Sequence, residues 1–222
     1  MKPLNKYIDH TNLKPFATRA DIEKLCADAK AWDFASVCVN PCNVKLAKEL
    51  LAGTDVEICT VIGFPLGQNT TAIKVAETEA AYADGCEEFD MVINVGRLKD
   101  GENDYVRDEI AAIVKAAKGK TVKVIIETGL LTDEEKATAT RLSCEAGAHY
   151  VKTCSGVSQG VATVADITLM KANLSGDVKL KASSGIRSYA DAEALIEAGA
   201  ERLGTSAGIS IITGAPVEKG AY

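Results

Sequence analysis

The chain reads as a (β/α)8 barrel, one domain over residues 1–222, on three observations. Short β-branched runs alternate with amphipathic helical patterns along the whole length. Eight such runs occur, their starts separated by 27, 21, 32, 34, 27, 29 and 24 residues, intervals that suit one strand and its crossover helix. No linker, low-complexity tract or shift of composition divides them. An open doubly wound sheet would share the alternation, but its G-x-G-x-x-G loop after the first strand is missing.

Ile8–Thr11 is the first strand. The helix after it starts at Thr18, with Asp21 three residues on. The hydroxyl can accept a bond from an orphan amide while the acid faces the positive end of the helix dipole. Ile22, Leu25, Cys26 and Ala29 form its apolar side. Ala35–Asn40, Val56–Gly63 and Glu88–Asn94 are the second to fourth strands, and Val106, Ile110, Ile113 and Val114 mark the next clear helical face. Val122–Thr128 is the fifth strand, and Thr132 with Glu135 starts the helix behind it. Gly147 sits where that helix would end in a left-handed residue. His149–Thr153 is the sixth strand, followed by a helix start at Thr163 and Asp166. Val178–Ser183 is the seventh, with Ser188, Asp191 and Gly199 bounding its helix, and Arg202–Ser206 is the eighth. Residues 214–222 read as a mobile C-terminal tail.

Composition excludes several classes of function. A hydrophobic content of 47% is ample for a packed core. A net charge of −6 and the lack of any basic run argue against a nucleic-acid partner. No stretch approaches the roughly 20 apolar residues of a membrane span, and the first residues lack a secretory apolar segment. The seven cysteines include no C-x-x-C pair, so neither a zinc knuckle nor a disulfide frame is expected, and a reduced cytoplasm fits. With only His10 and His149, far apart in sequence, no histidine-rich metal site is expected either.

Lys152 is the residue most out of place. It interrupts a buried strand in "HYVKTCSG", where a charged amine costs several kcal/mol unless it is paired or neutral. "DGCEEFD", "AGAHYVK" and "AGAERLG" each set a glycine five residues before a notable position: Asp90, Lys152 and Gly204. These fall on strands four, six and eight, which would supply one interior layer of a barrel. Lys181, on strand seven, comes from the adjacent set. Both lysines lie near C-terminal strand ends, where barrels of this type carry their active sites. Two ammoniums side by side repel, and with desolvation that lowers the pKa of at least one. A free lysine is only about 0.04% neutral at pH 7, and a shift of ~3 units would make it roughly 30% neutral, a nucleophile toward carbonyls. Asp90 could pair with one lysine and move protons for the other. A lone strand-end lysine more often snorkels to solvent; two on adjacent strands with an inward acid favour chemistry. Lys179 is assigned no role.

The loops after strands seven and eight are rich in small residues. Ser184 and Gly185 with Arg187, then Gly204 and Ser206, could receive an anion through amides, hydroxyls and one guanidinium. Ser155 and Gly156 could add to the same wall. Barrel enzymes often bind phosphate between these two loops.

At this point the chain resembles the deoxyribose-phosphate aldolases, which are class I aldolases. The likeness runs through "YIDHTNL", "ASVCVNP", "VIGFPLG", "EEFDMVINVG", "VKVIIET", "YVKTCSG", "KASSGIR" and "GTSAG". It implies reversible, metal- and cofactor-independent cleavage of 2-deoxy-D-ribose 5-phosphate to glyceraldehyde 3-phosphate and acetaldehyde. By the same resemblance Lys152 is the Schiff-base lysine, Lys181 the second lysine that tunes it, and Asp90 the proton-relay acid. Tyr222 corresponds to a terminal tyrosine that assists proton transfer, and a homodimer or homotetramer is implied. The chain departs from the pattern in having Cys154 in Thr153–Gly156, Ser184 where a second glycine is usual, and Ala207 where a serine is common. These departures bear on phosphate affinity and not on carbonyl chemistry. Two competing readings remain: a phosphosugar isomerase with Asp90 as base, and a non-enzymatic phosphosugar-binding barrel. Cys38, near the end of strand two, would line the pocket or pack, and packing is favoured.

Overall fold

A computed structural model describes residues 2–216. Eight parallel strands close into a barrel in chain order. They are β1 (Ile8–Asn12), β2 (Ser36–Val39), β3 (Glu57–Ile62), β4 (Glu88–Val92), β5 (Thr121–Ile125), β6 (Tyr150–Lys152), β7 (Lys179–Ser183) and β8 (Arg202–Thr205). Each overlaps an expected strand; six are shorter, β1 extends one residue further to Asn12, and β5 starts one residue earlier at Thr121 and stops at Ile125. Closure is direct: Asp9 of β1 is in register with Gly204 of β8.

The main helices outside the barrel are α1 (Arg19–Ala31), α2 (Val44–Leu50), α3 (Thr71–Ala83), α4 (Val95–Lys99), α5 (Asn103–Ala116), α6 (Asp133–Glu145), α7 (Val164–Ala172), α8 (Tyr189–Ala198) and α9 (Gly208–Thr213). Reciprocal capping boxes form at Thr18, Thr132 and Ser188. At Thr163 only half forms: the hydroxyl accepts from the Asp166 amide at 3.0 Å. The Asp166 carboxylate instead pairs with Lys136 at 2.7 Å, so α7 is tied to α6 at the expense of its own cap. Gly147 and Gly199 carry positive φ after α6 and α8, as the sequence pattern expects.

Strand alternation divides the residues into two environments. Phe89 and Met91 of β4, Val122 and Val124 of β5, and Leu180 and Ala182 of β7 face outward into one apolar cluster shared with the helices. Burying each such branched or aromatic side chain contributes about 1.5–3 kcal/mol, and this layer carries the fold. The residues between them point into the barrel, where bulky branched side chains are usual. Here the interior carries Asp9, Glu88, Asp90, Lys123, Lys152, Lys181 and Arg202, all buried. No described helix is long and apolar enough to cross a membrane.

Candidate active site

The interior charges form one connected network. Asp90 Oδ2 lies 2.8 Å from Lys152 Nζ and 2.7 Å from Lys181 Nζ. Its other oxygen, Oδ1, accepts from Lys123 Nζ at 2.9 Å. Lys123 also reaches Glu88 Oε2 at 2.7 Å, and Lys181 contacts Asp9. Arg202 closes the ring below, donating from Nη1 to Asp9 Oδ1 at 2.6 Å and from Nη2 to Glu88 Oε1 at 2.7 Å. Register explains the meeting. Lys152 and Lys181 are Cα partners on β6 and β7, and Asp90 pairs with Lys123 on β4 and β5. The expected triad of Lys152, Lys181 and Asp90 is therefore brought together.

Burial alone would raise the Asp90 carboxyl, but the Lys123, Lys152 and Lys181 ammoniums outweigh it and hold it well below the usual carboxylate range. Lys181 departs from the expected effect of mutual repulsion. Burial pulls its pKa down, yet Asp9 and Asp90 overcome that and raise it above the ordinary lysine value. The sequence reading counted two cations against one acid. The closed barrel adds Asp9 from β1, which together with Asp90 reverses the sign.

Gly204 joins this layer through what it lacks. A Cβ there would overlap Ser183 Oγ and come within 3.1 Å of Lys181 Cε. The missing side chain leaves the space beside the Lys181 stem.

Above the network opens a cleft. Lys152 lines it, whereas Lys181 and Asp90 lie beneath, fully buried. Ser155, Gly156, Ser184, Gly185, Gly204 and Ser206, all expected at the phosphate end, line it as well. Ser184 has a φ of 80°, so it does adopt the backbone that favours glycine. Its hydroxyl gains a bond to Gly160 O at 3.2 Å. Arg187 is exposed and is not among the lining residues; its amide donates to Asp191. Tyr222, and residues 217–222 of the expected tail, lie outside the described residues. Ala207 is buried.

Cys38 packs rather than lines the cleft, clustering with Leu13, Cys59 and Val61. Its sulfur, that of Cys59 and an Asp90 oxygen lie within 4.8 Å of one another, a spacing that could hold a metal ion. The Lys123 ammonium already stands 3.3 Å from Cys59 Sγ and 2.9 Å from Asp90 Oδ1. A fixed cation thus occupies that corner, and a second would have to displace it.

Sequence reasoning missed Asp9, Glu88, Lys123, Arg202 and the lining residues Thr11 and Leu13. Lys123 carried a usable signal, since "TVKVII" interrupts an apolar strand as Lys152 does. Glu88 shares the strand parity of Asp90, and Arg202 that of Gly204.

Comparison with known proteins agrees with this geometry. Residues 4–213 match the family model described as DeoC/LacD family aldolase. A deoxyribose-phosphate aldolase of Streptococcus suis (strain 98HAH33) is 57% identical over 215 residues, covering 97% of this chain and 98% of the relative. One from Brevibacillus brevis is 56% identical over 219 residues, 99% of both chains. The tetrameric deoxyribose phosphate aldolase of Aeropyrum pernix superposes with a TM-score of 0.84 at 33% identity, covering 94% of this chain and 89% of that one.

Proposed function

Because the chain belongs to the DeoC/LacD family of aldolases, we propose that it reversibly cleaves 2-deoxy-D-ribose 5-phosphate through a Schiff base on Lys152. The observation that carries this reading is the sharing of Asp90 Oδ2 between Lys152 and Lys181, with Lys152 alone of the three facing the cleft.

The Lys152 amine adds to the aldehyde carbon C1 of the open-chain sugar, and loss of water leaves a protonated imine. That cation accepts electrons. As the C3 hydroxyl passes its proton through a water to Asp90 the C2–C3 bond breaks, glyceraldehyde 3-phosphate departs, and the electron pair remains as an enamine. Protonation at C2 and hydrolysis then release acetaldehyde and restore the amine. Lys181 is the fixed cation of the pair. Asp90 Oδ2 touches the Lys152 nitrogen, so it can take the proton that Lys152 must lose before attack and return it as water departs, while Lys181 stays charged beside it. Three ammoniums keep Asp90 ionised at rest, so it carries a proton in passing and stores none. Tyr222 is assigned, by resemblance, to proton transfer at the enamine carbon.

For the phosphate, Ser155, Gly156, Ser184, Gly185 and Ser206 form the far wall of the cleft, with Gly204 leaving room beside it. Arg187 stands outside that wall as a counter-charge on the solvent side. The electron sink is organic, so the cycle needs no metal or cofactor. The tetrameric relative supports a homodimeric or homotetrameric assembly.

The test is proton NMR of the protein incubated with 2-deoxy-D-ribose 5-phosphate and excess EDTA. Acetaldehyde and glyceraldehyde 3-phosphate are expected in equal amounts. Conversion to an isomeric phosphosugar, binding without conversion, or activity abolished by EDTA would each count against the reading.

A further inference from the structure

We propose that Glu127 is a positioning residue that fixes the segment after Lys152 for the phosphate-bearing end of the substrate, an inference that rests on the function just proposed. Glu127 follows β5 and is 2% exposed. Its backbone is left-handed, with φ 58° and ψ 64°, a conformation that an ordinary side chain adopts only at a cost. Among the described residues Asp33, Lys118 and Ser184 are the other non-glycines with positive φ, and Asp33 and Lys118 are exposed. The strain that is buried sits at Glu127.

The conformation aims a carboxylate at one amide. Both Glu127 oxygens accept from the Ser155 N–H, at 3.1 and 3.3 Å. The same turn places the Thr128 N–H on Thr153 O at 3.0 Å, after the Ile126 N–H has met Lys152 O at 3.0 Å. It also lays Gly129 against the backbone of Gln159 and Gly160, so closely that a Cβ at 129 would overlap them. On the opposite side the Thr153 N–H donates to Lys181 O and the Ala162 N–H to Ser184 O, both at 3.1 Å. The stretch 152–162 is therefore suspended between Glu127 and the β7 loop, with Lys152 at its start.

This arrangement sets the direction of Ser155. Its amide is taken by Glu127, and its Oγ accepts from the Val157 N–H at 3.3 Å. The hydroxyl proton is then the donor Ser155 can turn toward the cleft, next to Gly156. Glu127 meets no lining surface itself and acts through Ser155.

The experiment compares Glu127→Asn and Glu127→Gln. Asn tolerates the left-handed backbone but is one methylene too short to reach Ser155. Gln keeps the reach and an acceptor oxygen and removes the charge. KM and kcat are measured on 2-deoxy-D-ribose 5-phosphate and on unphosphorylated 2-deoxy-D-ribose. For Glu127→Asn the expected result is a phosphosugar KM raised about tenfold, with kcat and the plain-sugar kcat/KM both within about threefold of the parent. Glu127→Gln should recover most of that KM. Equal losses on both sugars, a loss in kcat alone, or an unchanged KM would overturn the proposal. If Glu127→Asn does not fold, Ser155→Ala carries the test, since it deletes the hydroxyl that Glu127 orients. The same rise in phosphosugar KM is expected, and an unchanged preference between the sugars overturns the idea. Parent protein that cleaves neither sugar sinks the proposed function and this inference together. Parent protein that cleaves the phosphosugar, with variants that keep its preference, sinks this inference alone.

Discussion

Gly204 sits in β8 without a positive φ, so the absence of a side chain there answers to space and not to backbone torsion. Gly204→Ala would push on Ser183 and on the Lys181 stem. Overpacking of this kind typically costs about 1–3 kcal/mol, and here the displaced group is Lys181. Expected for Gly204→Ala are a lower denaturation midpoint and a kcat reduced about tenfold or more, since misplacement of about 1 Å can cost a hundredfold. A variant with parental kcat would show that the Lys181 position is not critical. The residues that could be read from sequence were those that broke a local pattern: Lys152 inside a strand, with Asp90 and Gly204 at the same offset from a glycine, and Lys181 near the end of the adjacent strand. Lys123 broke a pattern too, but a single strand lysine is also explained by snorkelling. Asp9 carries no local mark. Its partners, Lys123, Lys181 and Arg202, come from β5, β7 and β8, and only closure of the barrel brings them to it.

Among elements, the helix starts were legible because a cap is written within four residues, whereas the contact between α3 and α5 was not. Lys74 of α3 and Glu109 of α5 look like solvent-facing charges in sequence. In the structure they pair at 2.8 Å with both side chains fully buried, and Lys74 Nζ also donates to Val92 O at the end of β4. Burial lowers Lys74 and raises Glu109 more than their pairing compensates, so the pair favours one docking of α3 and α5 over others more than it adds stability. Lys74→Met alone is expected to lose about 3–5 kcal/mol in urea denaturation by stranding a buried carboxylate. Lys74→Met combined with Glu109→Leu should recover most of it. A double variant as unstable as the single one would mean that packing, not charge, sets the loss.

For the whole molecule, the division between an apolar layer outside the strands and a charged ring inside them decides both stability and chemistry. His10 belongs to the outer layer, with its ring centroid 5.0 Å from that of Phe34. Burial pushes its pKa down to about 4, against a partial upward pull from Asp28. With an unfolded value near 6.5, the unfolded chain takes up a proton first as pH falls. The contribution of neutral His10 is therefore whole above pH 6.5, declines as pH falls toward about 4, and is lost below it. Between pH 7 and pH 5 that amounts to about 2 kcal/mol. Denaturation curves at the two pH values should show this loss in the parent and a distinctly smaller one in His10→Gln; equal losses would remove His10 from the account. The barrel itself was legible because eight strand-helix intervals repeat without a break. The charge balance of its interior was not, because it sums residues from β1 and from β4 to β8 that no sequence window contains.

The central claim is that Lys152 is the amine that meets the substrate carbonyl. Borohydride reduction in the presence of acetaldehyde, followed by peptide mass mapping, tests it most directly. The account predicts a reduced adduct on Lys152 that disappears in Lys152→Ala. Turnover of the sugar phosphate with no trapped adduct, or an adduct confined to Lys181, would contradict it.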